Sequence, residues 1–229
     1  MQPALAKVSN HDSQLEELGR ATLQIVHDLK NQLNGLKLYA TYLRKRLDRE
    51  DRTPEERETI GKLIAGLDRA AKDMTALVRY AQPVELRKQS PVDLRKVVSA
   101  LVADVAARET GGLPPMTIGT EIEDQPLVGQ FDSAMITQAL AEITDDIRMA
   151  IRSKEPGVLT IAVRRQDDEA LIEWKGTKPL TRQSSSQQTV GCGTVHTALG
   201  AKLIEAHGGR VTVEGNTVRA WLPLIDKSN

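Results

Sequence analysis

The chain has little of several residue types, and each shortage excludes a class of protein. Among 229 residues it has one cysteine, Cys192. This excludes an internal disulfide framework or a multi-cysteine zinc site and indicates a reducing compartment. Aromatic residues make up only 3% of the chain. Because strands are enriched in aromatic residues, this composition favours helices packed through aliphatic side chains over a β-sandwich.

The chain also lacks an excess of either charge and any long apolar run. Lys plus Arg and Asp plus Glu number 31 each, so there is no strong field toward nucleic acid or an anionic membrane. The basic cluster Arg44-Lys45-Arg46 is followed closely by acidic residues. No stretch of about eighteen apolar residues is present, and the N-terminus has no hydrophobic signal segment. We therefore expect a cytoplasmic protein with no nucleic-acid partner and no membrane insertion.

What the chain does have is a long helical repeat. Counted in heptads from Leu15, apolar residues dominate positions a, d and e and form the wide stripe of a bundle helix. Position a holds Leu15, Thr22, Leu29, Leu36 and Leu43. Position d holds Leu18, Ile25, Gln32 and Tyr39. Position e holds Val26, Leu33, Ala40 and Leu47. A second helix follows, with Thr53 as N-cap, Pro54 at its first position and Glu56 completing a capping box; Pro83 ends it.

Two long helices joined by a short connection predict an antiparallel hairpin. A single hairpin cannot cover its own apolar stripe, so a second copy is needed, which predicts a homodimer with a four-helix bundle. The C-terminal half of the same chain is the competing cover.

The composition changes after residue 82. We expect a helical domain at 1–82, a linker at 83–89 and a second domain at 90–229. The second domain shows a helix from Leu94 that stops at Gly111-Gly112, and a polar loop over Thr177–Gln188. Further elements are expected at 116–122 (strand), 133–151 (helix), 158–165 and 170–174 (hairpin strands), around 199–206 (helix), and 211–214 and 218–222 (strands). The whole is an α+β chain whose second domain is an α/β sandwich.

One segment of the first helix carries groups suited to chemistry. His27 lies at heptad position f, away from the apolar stripe, with Lys30 and Asn31 on the same face. A neutral imidazole is a good nucleophile toward phosphorus, and Asp28 can orient the ring or take its proton. Asn31, one helical turn on, can position a water molecule or a phosphoryl oxygen. The alternative is an ordinary solvated histidine on a polar helix face.

The string His27-Asp28-Leu29-Lys30-Asn31 resembles the phosphoacceptor motif of two-component histidine kinases. The resemblance extends from about Leu15 to Leu224 and implies the same hairpin, dimer and ATPase-like second domain. In that family the acid after the histidine assists autophosphorylation, and the Asn or Thr four positions on supports dephosphorylation of the response regulator; Asp28 and Asn31 match these positions. Gln32 stands where the family often has a helix-bending Pro.

The resemblance weakens at the residues that hold ATP. Glu142 and Asp146 occupy the two Asn positions of the family's N-x-x-x-N magnesium motif. Carboxylate oxygens suit magnesium, so Asp146 retains a candidate role, beside the alternative of an exposed acidic helix face. Trp174 replaces the Asp that accepts the adenine hydrogen bond, and only Gly176 remains of the D-x-G-x-G turn. An indole donates but cannot accept that bond, and it would fill much of an adenine pocket.

The family's glycine-rich phosphate loop is reduced to Gly191 and Gly193, ahead of a helix N-terminus that could hold an anion. We interpret these residues, with Glu142, Asp146, Trp174 and Gly176, as a vestigial nucleotide site. His207 is expected to be structural. His11 and His196 join no group of functional residues, and no metal site is expected.

A retained phosphoacceptor with an eroded nucleotide site resembles the kinase-like histidine phosphotransferases. The resemblance implies that His27 exchanges a phosphoryl group with response-regulator aspartates, with Asp28 and Lys30 assisting and Asn31 tuning transfer. ATP binding is then not expected, and Mg²⁺ arrives with the receiver domain. Two alternatives stay open. One is a divergent cytoplasmic histidine kinase that uses Asp146 and the loop 191–193 to hold ATP. The other is a non-catalytic scaffold that binds a response regulator or a kinase.

Overall fold

The structure, a computed structural model, describes residues 4–47, 54–87, 89–107, 116–151, 157–176 and 194–225. For 4–22 and for residues 46, 47, 54, 57 and 116 only the backbone is described. The predicted loop Thr177–Gln188, the phosphate-loop glycines Gly191 and Gly193, Thr53 and Gly111-Gly112 lie outside the described residues. The chain divides into two compact units, Met1–Gln82 and Pro83–Asn229, which are taken separately below.

The first unit is the predicted helical hairpin. Helix α1 spans Ala4–Leu47 and helix α2 spans Pro54–Ala81. Proline at the first helical position is favourable because its missing N–H would have no partner inside the helix. Among the described side chains, those buried between the helices are Val26, Ala40, Ile64 and Ala76. An ion pair between Lys37 Nζ and Asp68 Oδ1 at 2.5 Å joins the same two helices.

The hairpin covers only part of the apolar stripe on α1. The e positions face α2, since Val26 and Ala40 are buried and Leu33 is half-buried. Apolar side chains at the a and d positions are exposed in the single chain: Ile25, Leu29, Leu36, Tyr39 and Leu43. Helix α2 exposes Leu63, Leu77 and Tyr80 as well. The predicted stripe is thus two surfaces, one packed within the hairpin and one facing outward.

The second unit is a mixed sheet covered by helices. Its elements are β1 (Gln89–Asp93), α3 (Leu94–Ala107), β2 (Met116–Ile122), β3 (Val128–Asp132), α4 (Ser133–Ile151), β4 (Gly157–Gln166), β5 (Glu169–Gly176), α5 (Val195–Ala206), β6 (Arg210–Glu214) and β7 (Thr217–Pro223). The five-stranded sheet has the order β2-β4-β5-β7-β6. Strands β2 and β4 are parallel and the other neighbours antiparallel. The α+β fold expected from the sequence is confirmed.

Alternation along the strands explains which face of the sheet is covered. On β5, Ala170, Ile172 and Trp174 are buried, whereas at the alternate positions Leu171 is buried, Glu173 half-buried and Lys175 exposed. The period of two places alternate side chains on opposite faces, so one face forms the core against the helices. Helix α4 lies at the centre of this core, with Ile136, Leu140, Ile143 and Ile151 fully buried.

A two-stranded antiparallel sheet, β1 with β3, was not expected from the sequence. The predicted linker 83–89 overlaps it by one residue, because β1 begins at Gln89. Asp132, at the end of β3, explains how the following helix begins. Its Oδ1 accepts hydrogen bonds from the backbone N–H groups of Ala134 and Met135, both at 3.1 Å. This carboxylate therefore caps α4.

None of the helices in the described parts of the chain combines the length and the apolar character that crossing a bilayer requires.

The junction of β1 and α3 is held by an arginine–carboxylate pair. Arg95 donates from Nε to Asp93 Oδ1 at 3.1 Å and from Nη2 to Asp93 Oδ2 at 2.7 Å. Asp93 Oδ1 also accepts from the backbone N–H of Leu127 at 3.3 Å. The hydrogen bonds from the Arg95 guanidinium hold the pKa of the Asp93 carboxyl below its ordinary value of 3.8. The pair thus joins α3 to the chain segment that enters β3.

We expect Asp93→Asn to lower the free energy of unfolding by about 1–3 kcal/mol at neutral pH, since it removes a charge-assisted pair. Because the folded-state pKa of Asp93 is lowered, its contribution is fully present above the ordinary value. It is lost as pH falls through the folded-state value. Urea denaturation at several pH values should therefore show the difference between wild type and variant shrinking on acidification. The exposed Glu121→Gln serves as control, and a constant difference would contradict the assignment.

Candidate functional site

The candidate phosphoacceptor lies on an exposed face of α1. The side chain of His27 is 57% exposed and that of Asp28 58%. Asp28 Oδ1 lies 3.5 Å from His27 Nδ1, and Asn31 Nδ2 lies 3.3 Å from the same nitrogen. The i,i+4 spacing of a helix brings His27 and Asn31 together, one turn apart. These contacts converge on one edge of the imidazole ring.

The tautomer of His27 determines which ring nitrogen keeps a free lone pair. With the ring proton on Nδ1, that N–H points to the Asp28 carboxylate and the Nε2 lone pair is the nucleophile. In the other tautomer Nδ1 is unprotonated and accepts from Asn31 Nδ2. With the proton on Nδ1, Nε2 keeps its lone pair and Asp28 is the acceptor at Nδ1.

Gln24 and Lys30 lie near His27 on α1. Gln24, which the sequence reasoning missed, donates from Nε2 to Asp28 Oδ1 at 3.0 Å. Its position one turn before Asp28 is the i,i+4 signal that could have found it. Lys30 is half-buried on the same turn, and no contact between it and His27 is present among the described side chains. The helix continues unbroken through Gln32, where the resembling family often has Pro.

In the second unit, both candidate magnesium ligands make contacts inside the protein. Glu142 Oε2 lies 2.6 Å from His196 Nδ1, and both side chains are 20% exposed. Asp146 Oδ2 accepts from the backbone N–H of Thr194 at 3.2 Å and from the Thr197 hydroxyl. The two carboxylates, one turn apart on α4, are thus directed to the first turn of α5. Within the described residues, no group of three or more histidine, cysteine or acidic side chains could hold a metal ion.

The contact between Glu142 and His196 was not anticipated from the sequence. We expected His196 to join no group of functional residues, and a contact with one carboxylate leaves that a prediction. The partners are far apart in sequence, so no local pattern signalled the pair. His207 behaves as expected: it is buried, its Nδ1 lies 2.7 Å from the Leu203 carbonyl oxygen, and its Nε2 accepts from the Asp132 backbone N–H at 3.1 Å.

Trp174 is the residue that the sequence resemblance aligns with the family's adenine-binding Asp. Its side chain is fully buried, and its Nε1 donates to Thr144 Oγ1 at 2.8 Å. The indole therefore packs as a core side chain between β5 and α4. Gly176, two residues on, is tied to the β6–β7 turn: its N–H donates to the Asn216 carbonyl at 3.0 Å, and its carbonyl accepts from Asn216 Nδ2 at 2.5 Å.

No protein-family model and no curated protein matches the sequence. Solved structures do. The histidine kinase AdeS of Acinetobacter baumannii is 13% identical, with a TM-score of 0.55, over 86% of this chain and 97% of that one. ThkA, solved in complex with the response regulator TrrA, is 16% identical, with a TM-score of 0.63, over 100% of this chain and 69% of that one.

Full-length ShkA in complex with AMPPNP is 19% identical, with a TM-score of 0.60, over 91% of this chain and 47% of the ShkA chain. The chain has the fold of a histidine-kinase catalytic core. The resemblance drawn from the His27 segment is confirmed at the level of the fold. Identities this low show the fold alone.

The buried indole allows a direct test of its structural role. We expect Trp174→Phe to lower the free energy of unfolding by about 1–3 kcal/mol, because it leaves a cavity and removes the hydrogen bond to Thr144. Trp221→Phe is the matched control. Trp221 is half-buried, donates to Gln166 Oε1 at 3.1 Å and carries the Arg210 guanidinium 4.5 Å above its ring. Urea denaturation followed by circular dichroism measures both, and equal losses would contradict the assignment.

Proposed function

We propose that this protein carries a phosphoryl group on His27 and exchanges it with the aspartate of a response-regulator receiver domain, without using ATP. The observation that carries the proposal is the exposed imidazole whose Nδ1 is engaged by Asp28 and Asn31. Phosphoryl exchange between proteins requires a nucleophile that a partner can reach on a rigid support. His27 on an unbroken helix meets both conditions.

The proposed transfer involves His27, Asp28 and the aspartyl phosphate of the receiver domain. The Nε2 lone pair attacks the phosphorus of an aspartyl phosphate, a nitrogen–phosphorus bond forms, and the oxygen–phosphorus bond to the aspartate breaks. The aspartate leaves as a carboxylate. The Nδ1 proton stays hydrogen-bonded to Asp28, whose negative charge stabilises the positive charge on the phosphorylated ring. The reverse transfer follows the same path.

The second unit supports independence from ATP. Trp174 offers a core indole where an adenine acceptor would stand, and its N–H is already bonded to Thr144. The carboxylates of Glu142 and Asp146 contact α5. A bound nucleotide would have to displace these contacts. In this proposal the second unit contributes a surface for the partner, and the magnesium ion required for phosphoryl transfer enters with the receiver domain.

The receiver-domain partner is proposed on two grounds. The similar structure of ThkA was solved in complex with a response regulator. In this chain, the face that carries His27 also presents polar side chains around it, as a reversible protein contact requires. We further propose that two copies of the chain join through the exposed a and d positions of α1, which would complete a four-helix bundle.

We expect label from a ³²P-phosphorylated receiver domain and Mg²⁺ to appear on the wild-type protein and to be acid-labile. His27→Gln should reduce it to background, because no other group replaces Nε2, whereas His11→Gln on the same helix should leave it unchanged. Asp28→Asn should slow transfer by about 100-fold, through loss of the charge at Nδ1.

The same protein incubated with ³²P-ATP and Mg²⁺ alone should stay unlabelled. Label on His27 from ATP would contradict the proposed ATP independence and make the protein a histidine kinase. Absence of label by either route, with a receiver domain that binds the protein, would leave the scaffold alternative.

The dimer proposal is tested by two leucines of α1 that are both exposed in the single chain. Leu36, at position a, is 54% exposed, and Leu38, at position c, is 70% exposed. We expect Leu36→Glu to raise the dimer dissociation constant by at least about 100-fold, because it places a charge in the seam between copies. Leu38→Glu should leave it unchanged. Sedimentation equilibrium measures both, and a monomeric wild type would contradict the dimer.

A further inference from the structure

The first turn of helix α5 is held by side chains of α4. Thr194 is its N-cap, and the Thr194 side-chain oxygen accepts from the His196 backbone N–H at 3.1 Å. The Thr194 N–H itself donates to Asp146 Oδ2 at 3.2 Å, and the Thr197 hydroxyl donates to the same oxygen. Asp146 thus receives a backbone and a hydroxyl hydrogen bond from one helix end.

Two neighbouring contacts draw the same helices together. His196 Nδ1 lies 2.6 Å from Glu142 Oε2, one turn before Asp146 on α4. Gly200 marks the closest approach, because a Cβ built there would lie 2.6 Å from Ile143 Cγ1 and 2.9 Å from the Ala139 carbonyl oxygen. The helices therefore touch at the backbone of Gly200 and are fixed at the start of α5 by two carboxylates.

The donors around Asp146 are of the kind that bind a phosphate group. Anions are stabilised at helix N-termini because free N–H groups point toward them and the helix dipole is positive there. A carboxylate oxygen that accepts hydrogen bonds from a backbone N–H group and a threonine hydroxyl satisfies such donors in the same way. Here that anion belongs to the protein itself.

We propose that Asp146, assisted by the contact of Glu142 with His196, is a built-in anion that holds the N-terminus of α5 on α4 in place of a bound ligand. The inference rests on the ATP independence in the proposed function and gives it a structural cause. The unit keeps α5 docked with its own charges and requires no nucleotide or metal for that purpose.

Hydrogen exchange of the full chain, followed by mass spectrometry, tests whether Asp146 holds the N-terminus of α5. Asp146→Asn removes the charge while keeping the shape, and it should speed exchange of the amides at 194–198 by about tenfold or more. The matched control is Glu205→Gln near the other end of α5, whose side chain is exposed. It should change these rates by less than about twofold. Thr197→Val, which keeps the Asp146 charge, is a second variant and should also speed exchange.

Unchanged exchange in both Asp146→Asn and Thr197→Val would overturn the proposal. So would slower exchange at 194–198 when MgATP is added to the wild type, because a ligand would then occupy the position assigned to Asp146. These readouts involve no phosphoryl transfer. If the proposal for Asp146 is wrong, the exchange rates show it while label still reaches His27. If the transfer proposal is wrong, the label is absent while exchange behaves as expected.

Discussion

The packing of helix α4 is the constraint on which the second unit depends. One side of the helix fills the core with Ile136, Leu140 and Ile143, which are fully buried. The Trp174 indole crosses from β5 to the Thr144 hydroxyl. In a core this tightly packed, a side chain as large as indole determines which other groups fit. A fold shared with histidine kinases is therefore compatible with a core in which Trp174 is bonded to Thr144.

The chemistry assigned to the first unit needs very little of the molecule. His27, Asp28 and Asn31 lie within about one turn of one helix, so their mutual geometry follows from helical spacing alone. Such a site survives large changes in the second unit. In the proposed function, this separation would let a chain keep a phosphoacceptor while Trp174 and Asp146 make internal contacts in the second unit. A site built on a continuous helix is also more rigid than one built on a loop.

Local patterns predicted most of the fold, and long-range contacts account for what was missed. Strand β2 and helix α4 have the bounds expected from the sequence, 116–122 and 133–151. Strands β1 and β3 are five residues each and pair across intervening structure, so neither has a pattern of its own. The contact of Glu142 with His196 was missed for the same reason. The motif of His27 was recognisable because its parts are adjacent in sequence.

Exposure of the candidate site has a consequence for its reactivity. His27 and Asp28 are each more than half exposed, so water screens the attraction between the carboxylate and a positively charged ring. A docked receiver domain would exclude much of that water, and the same contact would then be several times stronger at the moment of transfer. The proposed partner would thus supply part of the site by covering it. In the proposed function, docking would therefore be what makes the transfer fast.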